Sequence, residues 1–207
     1  MAPTQAKTEP STDFKRTLAV WISNASNPVL LVAVSLIYIT NRYVDELQEV
    51  IGWSITGLTL IVIAPALIYL LVSRQYDKKI DMDITNRADR PLPLMLASLG
   101  ALVGGVIVSN RLDSPNLLLM SQTLVAMLMV LTVISLVWKI SIHASTMAAL
   151  VTLLVIFRGR DLLPLYLLLI PLAWARLELK QHTIAQLIGG AMLGVAVTYF
   201  ASALLRN

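Results

Sequence analysis

Residues 116–143 read NLLLMSQTLVAMLMVLTVISLVWKISIH and determine the fold class of the chain. The stretch from Asn116 to Trp138 contains no charged residue. It is long enough to cross a bilayer, which takes about 20 mostly apolar residues. A short polar string, Lys139 to His143, follows at once. Because ionisable groups beside such a stretch are costly to keep, a functional role is the first interpretation of this string.

The composition is typical of an integral membrane protein. Of the 207 residues, 57% are hydrophobic and 14% are charged, and the mean hydropathy is +0.76. A soluble domain carries about 25% charged residues. We therefore expect an all-α membrane protein without a separate soluble domain. The absence of cysteine excludes disulfides and thiolate chemistry, and the net charge of +4 suits lipid headgroups or phosphate better than nucleic acid.

Six or seven stretches are apolar and long enough to be spans of a polytopic transmembrane helix bundle. They lie at about 27–40, 50–72, 92–109, 116–138, 143–157, 162–175 and 183–205. Residues 1–13 are predicted to be a disordered polar tail, residues 14–26 an interfacial lead-in helix, and residues 27–205 the membrane domain. Glycines in the third and seventh spans predict close packing of neighbouring helices.

Loop parity brings the polar segments to one side of the membrane. With seven spans, the loops after the second, fourth and sixth lie on the side of the N-terminus, and they hold residues 74–91, 139–145 and 176–186. On that side lie eleven of the sixteen Lys and Arg residues. The excess favours a cytoplasmic site, although four of the eleven are candidate site residues. We therefore predict that all three segments contribute to one site.

The segment from Arg176 to His182 carries groups that suit phosphate chemistry. Arginine offers a rigid fork of donors that matches phosphate oxygens. Histidine can attack phosphorus or shuttle protons. Gln186 lies one helical turn after His182 and is placed to hydrogen-bond a ring nitrogen. The alternative interpretation is an arginine and a histidine at the membrane interface that reach towards headgroups.

The string Ser141-Ile142-His143 is predicted to begin a helix. A serine hydroxyl, free backbone N–H groups and the helix dipole together make an anion pocket there. His143 is placed to protonate a leaving oxygen, and Lys139 lies two residues before Ser141. The alternative interpretation is that Ser141 is a helix N-cap beside an inert histidine.

The loop before the third span is the one rich in arginine. Arg87 and Arg90 lie just before a helix, where they can clamp phosphate, and a solvated loop that holds topology is the alternative. Asp81, Asp83 and Asp89 are spaced so that they could hold Mg²⁺ through a diphosphate.

Together the three segments resemble the type 2 phosphatidic acid phosphatase superfamily. Its pattern is Lys-x6-Arg-Pro, then Pro-Ser-Gly-His, then Ser-Arg-x5-His-x3-Asp. The similar parts of this chain are Arg90-Pro91, Ser141-Ile142-His143 and Arg176-x5-His182. LIGGAMLG at 187–194 resembles the glycine-rich helix that follows the third block. The resemblance covers most of residues 27–205 and implies a transmembrane phosphatase-like bundle.

The resemblance also implies an activity and roles for the site residues. The protein would be a metal-independent phosphatase without a cofactor, acting on a lipid phosphate or diphosphate such as a prenyl diphosphate or phosphatidate. His182 would attack phosphorus while Gln186 holds its ring, and His143 would protonate the leaving group. The phosphate-binding residues would be Arg176, Arg90, Ser141, Lys139 and Arg87.

Several family positions are changed in this chain. The family lysine falls on Asp83, and the serine before the third-block arginine is Ala175. Candidate substitutes for the lysine are Lys79, Arg87 and Lys139. The family aspartate that orients the nucleophile is Gln186. An uncharged orienter can hold the geometry and still lower the rate.

Three alternatives are open from the sequence. A catalytically weak or inactive relative that binds lipid phosphate would account for the changes at Asp83 and Gln186. A Mg²⁺-dependent membrane prenyltransferase is suggested by NRADRPLP at 86–93, but a second aspartate cluster is missing from the sequence. A transporter or channel is disfavoured because charged residues within the spans are nearly absent.

Overall fold

The computed structural model describes residues 10–42, 44–75 and 87–205, and every regular element in these ranges is a helix. The α-helices are α1 (Pro10–Ala25), α2 (Pro28–Thr40), α3 (Leu47–Leu58), α4 (Ala64–Gln75), α5 (Pro91–Leu112), α6 (Pro115–Val137), α7 (Ile142–Arg158), α8 (Leu169–Glu178) and α9 (Ile184–Leu205). A π-helical turn joins α3 to α4, and 3₁₀ helices cover Arg87–Asp89 and Arg160–Leu168. The predicted all-helical class is confirmed.

The helix starts follow from local capping chemistry. Asn27 accepts from the Val29 N–H at 2.9 Å, and Ser114 accepts from the Leu117 N–H at 3.2 Å. Proline lies in the first turn of α2, α5 and α6. An N–H group at this position has no partner within the helix, so its absence in proline costs no hydrogen bond. These helix starts lie close to the positions 27, 92 and 116 at which the sequence predicted spans to begin.

Four helical segments are long and apolar enough to cross a membrane: Leu47–Arg74, Pro91–Leu112, Pro115–Val137 and Ile184–Leu204. A fifth is reached if α1 and α2, which meet at a bend of 42°, count as one span. The expected sixth stretch is divided between the 3₁₀ helix Arg160–Leu168, which contains Pro164, and the short helix α8. The structure therefore has four or five candidate spans in its described part.

Glycines set the closest helix contacts. A Cβ atom added to Gly190 of α9 would lie 2.6 Å from the Ser141 carbonyl oxygen at the start of α7. Gly194, one turn further along, faces the carbonyl of Ser145 in the same way. Since a Cβ never approaches an oxygen this closely, only glycine allows α9 to lie so near α7. The close packing expected from the glycines is present.

The outer faces of the bundle are apolar. Side chains such as Val133, Leu136 and Leu204 are more than half exposed, although each belongs to a long apolar helix. Exposed apolar surface of this extent is what lipid contact requires. The buried interior joins α2, α7, α8 and α9 around Leu31, Val151 and Leu172, and a larger cluster centres on α5 and α6.

Candidate functional site

The three polar segments meet at one end of the bundle. The Arg90 guanidinium, just before α5, donates to the Ile140 carbonyl at 2.8 Å. The next residue, Ser141, donates its backbone N–H to the Gln186 carbonyl of α9 at 3.2 Å. The structure thus brings residues that are about fifty positions apart into one cluster.

A capping box at the start of α9 holds the His182 ring. The Thr183 N–H donates to the Gln186 Oε1 atom at 3.1 Å, and the Gln186 N–H donates back to the Thr183 hydroxyl at 3.4 Å. The same Oε1 atom lies 3.1 Å from His182 Nδ1. One side-chain oxygen therefore serves both the helix end and the histidine.

This arrangement determines which ring nitrogen carries the proton. Because Oε1 accepts from the Thr183 N–H, the atom facing His182 is an oxygen and not the amide nitrogen. An oxygen can only accept from Nδ1, so Nδ1 carries the hydrogen. Nε2 of His182 is then left with its lone pair, which is the form that a nucleophile needs.

His182 is neutral at physiological pH. It lies between α8 and α9 and is only 8% exposed. Burial lowers the pKa of its ring, the hydrogen bond that Nδ1 donates to Gln186 raises it in part, and the charges of Arg176, Arg90 and Lys139 lower it further, to about 4. The positive surroundings that would bind an anion therefore also keep this ring unprotonated.

His143 lies close to His182. It is half-buried in the first turn of α7, and the charges that act on it come from Arg176, His182 and Arg90. The charges of Arg176 and Arg90 therefore act on both rings. The structure brings the only two histidines of the chain into one positively charged cluster.

Arg176 is held by a residue from the first helix. Its guanidinium donates to the Ser23 hydroxyl at 2.8 Å, and the two residues are 153 positions apart. Arg176 is 5% exposed and Ser23 is 6% exposed. The contact exists because α1 packs against α8. The lead-in segment therefore reaches the site, which the sequence did not predict.

Ser141 is a helix cap and a site residue at once. Its hydroxyl accepts from the Ala144 N–H at 3.4 Å, and its carbonyl accepts from the Ser145 hydroxyl at 2.9 Å. The N-cap that was the alternative interpretation is therefore present. Capping uses the hydroxyl as an acceptor, so its hydrogen can still be donated, although the side chain is fully buried. The positive end of the α7 helix dipole also lies at this end of the helix, beside Ser141.

The structure describes the remaining candidate residues only in part. The charge of Lys139 acts on the His182 ring, so Lys139 belongs to this end of the bundle. Arg87 opens the 3₁₀ turn before α5, and its side chain lies outside the described residues, as do Asp81 and Asp83. Within the described ranges, no group of three acidic, histidine or cysteine side chains could hold a metal ion.

Ser23, Thr183 and Ser145 are site residues that sequence reasoning missed. For Thr183 a readable signal existed, because Thr183-x-x-Gln186 is the capping-box pattern. Ser145 follows Ser141 by one helical turn, and its bond is local. Nothing in the sequence near Ser23 indicates a contact with a residue so far along the chain.

Comparison of the chain with protein-family models, with curated proteins and with solved structures finds no match. The function is therefore inferred from the residues of the site. Those residues are two close histidines, two buried arginines and a capped helix start at one end of a strongly apolar bundle.

Proposed function

We propose that this protein is a multi-pass membrane phosphatase that hydrolyses lipid phosphates or diphosphates through a phosphohistidine on His182. The observation that carries the proposal is the hydrogen bond from His182 Nδ1 to Gln186 Oε1, which leaves Nε2 with its lone pair beside buried arginines. The architecture that goes with this function is a bundle of six or seven spans, similar to type 2 phosphatidic acid phosphatases, with its site on the cytoplasmic side.

The arginines bind the phosphate. Arg90 and Arg176 are 3% and 5% exposed, so their charges act through a medium of low polarity. Their anchors, the Ile140 carbonyl and the Ser23 hydroxyl, fix the guanidinium planes before substrate binds. Preorganised donors of this kind stabilise charge that develops in the transition state. Ser141 and Lys139 add donors at the start of α7, and Arg87 does so from the turn before α5.

The chemistry proceeds in two steps. In the first, His182 Nε2 forms a bond to phosphorus as the bond from phosphorus to the leaving oxygen breaks. His143, which takes up a proton when the anionic substrate binds beside it, gives that proton to the leaving oxygen. In the second, water attacks phosphorus and gives a proton to the now neutral His143. The bond from phosphorus to nitrogen breaks, inorganic phosphate leaves, and both histidines return to their starting forms.

The substrate is a lipid because of where the site lies. The ends of α5, α6, α7 and α9 meet here, and three of these helices are long enough to cross a bilayer. Their ends lie at the depth of the headgroups. The exposed apolar faces of the same helices would contact the hydrocarbon tails.

One observation favours a second candidate, a lipid-phosphate-binding protein with little turnover. Gln186 carries no charge, so it orients the His182 ring without stabilising the positive charge that the ring gains when Nε2 bonds to phosphorus. Such a protein would bind lipid phosphate at the same arginines. A measurement of turnover separates the two candidates.

The test is phosphate release by purified protein in lipid nanodiscs. We expect release from prenyl diphosphate or phosphatidate by the wild-type protein and none by His182→Ala. A radiolabelled substrate, quenched during turnover, should leave an acid-labile and alkali-stable phosphate on His182. His143→Ala should retain this label for longer, because it lacks the group that activates water. Equal release by wild type and His182→Ala would refute the hydrolase, and binding without release would favour the second candidate.

A further inference from the structure

A large cavity lies between α2, α6, α7 and the 3₁₀ helix Arg160–Leu168. Its volume of about 500 Å³ is within the range of about 300–1,000 Å³ that is typical of small-molecule sites. Ile39 and Arg158, which line it, lie in the last turns of α2 and α7. His143 lies in the first turn of α7, so the cavity belongs to the other end of the bundle. Leu150, the lining residue of α7 nearest in sequence to His143, is about 10 Å further along the helix.

The cavity exists because the chain after α7 does not pack into the bundle as a further α-helix. Pro164 lies within the 3₁₀ helix and has no N–H for the hydrogen bonds of an α-helix. Each of the nine residues from Arg160 to Leu168 is at least partly exposed. This helix packs against α7 and α8, and the space beside α2 is left open.

One side of the cavity opens to the lipid. Val34 lines the cavity and is 52% exposed. Leu30 and Ile37, which share its face of α2, are 46% and 52% exposed, so this face belongs to the apolar outer surface of the bundle. Water would find few polar partners in the cavity, and hydrocarbon is therefore the chemistry that fits it. Its other walls are also mainly apolar and include Met120, Leu153 and Phe157.

Two side chains of opposite charge line the cavity near the membrane surface. Arg158 ends α7 and Asp161 follows in the 3₁₀ helix, and both are exposed. Among the residues that the structure describes, neither side chain has an ion-pair or hydrogen-bond partner. A guanidinium binds phosphate oxygens, and a carboxylate accepts hydrogen bonds from a primary ammonium group. Together they match a headgroup that carries both charges.

The depth of the cavity is close to that of one lipid leaflet. Leu150 lies eight residues before Arg158, which is about 12 Å of helix. Half of the hydrocarbon core of a bilayer is about 15 Å thick. A lipid with its headgroup at Arg158 would therefore place its hydrocarbon along the whole lining of α7.

We propose that this cavity is a binding site for a phosphatidylethanolamine-type lipid of the leaflet opposite the histidines. Arg158 binds the lipid phosphate, Asp161 binds the ammonium group, and the hydrocarbon lies against Leu150 and Phe157. The site does not depend on the phosphatase proposed above, because the cavity and the histidines lie at opposite ends of α7. The bound lipid fills the space between α2 and the 3₁₀ helix and so stabilises the packing of both.

The headgroup contacts are tested by native mass spectrometry of the purified full-length protein. The probes are phosphatidylethanolamine and phosphatidylglycerol with the same acyl chains. We expect the wild-type protein to bind phosphatidylethanolamine about tenfold more tightly, Arg158→Gln to weaken this binding about tenfold or more, and Asp161→Asn to abolish the preference. The controls are Arg111→Gln and Asp113→Asn, which remove exposed charges at the same end of the bundle but outside the cavity. Equal binding of the two lipids by the wild type, or equal binding by Arg158→Gln and Arg111→Gln, would overturn the proposal.

The position of the hydrocarbon is tested separately. Leu154 lines the cavity, and Leu154→Trp fills part of it, whereas Leu204→Trp adds the same group on the outer face of α9. We expect only Leu154→Trp to weaken binding of phosphatidylethanolamine, by about tenfold. In the wild-type protein, phosphatidylethanolamine with a diazirine in its acyl chain should label Met120 and the Leu150 to Phe157 part of α7. Label confined to the outer faces of the bundle would mean annular lipid contact only and would overturn the proposal, whatever the folding of the variants.

Discussion

Replacing Gln186 by glutamate should make the site faster and shift its pH dependence. In the structure the Gln186 Oε1 atom lies 3.1 Å from both His182 Nδ1 and the Thr183 N–H. A glutamate carboxylate can accept from the same two donors, since glutamate serves as well as glutamine in a capping box. It adds one negative charge in direct contact with the ring. The substitution thus changes electrostatics and leaves the geometry of α9 intact.

The magnitude follows from the present state of His182. Its pKa is about 4, lowered first by burial and then by the positive charges of Arg176, Arg90 and Lys139. An opposite charge in contact raises the pKa of a histidine by roughly 1–3 units, and each unit corresponds to about 1.4 kcal/mol. If half of this energy acts in the transition state, where the ring gains positive character, kcat/KM should rise by roughly 3- to 30-fold.

The assay is the dependence of kcat/KM on pH. A lowered pKa means that His182 is neutral above about pH 4, so the acid limb of the wild-type profile should lie near that value. In Gln186→Glu the pKa is raised, so the acid limb should move up by roughly 1–3 pH units. Gln48→Glu, which adds the same charge at an exposed position in α3, is the control. An acid limb that stays in place in a folded Gln186→Glu protein would refute the assigned contact.

Three further results are expected. Gly190→Ala should lower the thermal midpoint of unfolding by several degrees and reduce activity, because the added Cβ would lie 2.6 Å from the Ser141 carbonyl oxygen. The control is Gly52→Ala, whose added Cβ meets nothing within 4 Å and which should be neutral or slightly stabilising. Ser23→Ala should raise KM by about tenfold with little change in kcat, because a bond to a charged group of roughly 1.5–3 kcal/mol that positions Arg176 is lost; an unchanged KM would contradict this role. Chelation of divalent metals should leave phosphate release unchanged, and loss of activity in chelator would favour the prenyltransferase alternative.

Local features of the site were readable from the sequence. Ser141 caps α7 because a serine before an apolar helix satisfies a free N–H, which depends on neighbouring residues alone. The one-turn spacing of His182 and Gln186 likewise predicted their contact. The count of spans was harder, since the stretch at 162–175 is apolar enough for a span, and yet Pro164 lies within a 3₁₀ helix there.

The sequence by itself determined the helical class, the apolar stretches and the helix starts at Asn27 and Ser141. These depend on hydrophobic length and capping, and both are local properties of the chain. Only the tertiary structure decided that Ser23 holds Arg176 and that Arg90 anchors the start of α7. The physical reason is that α5, α6 and α9 are apolar on nearly all sides, so their periodicity does not show which face meets which neighbour. Close contacts between small residues select the partners, and these contacts exist only once the helices have packed.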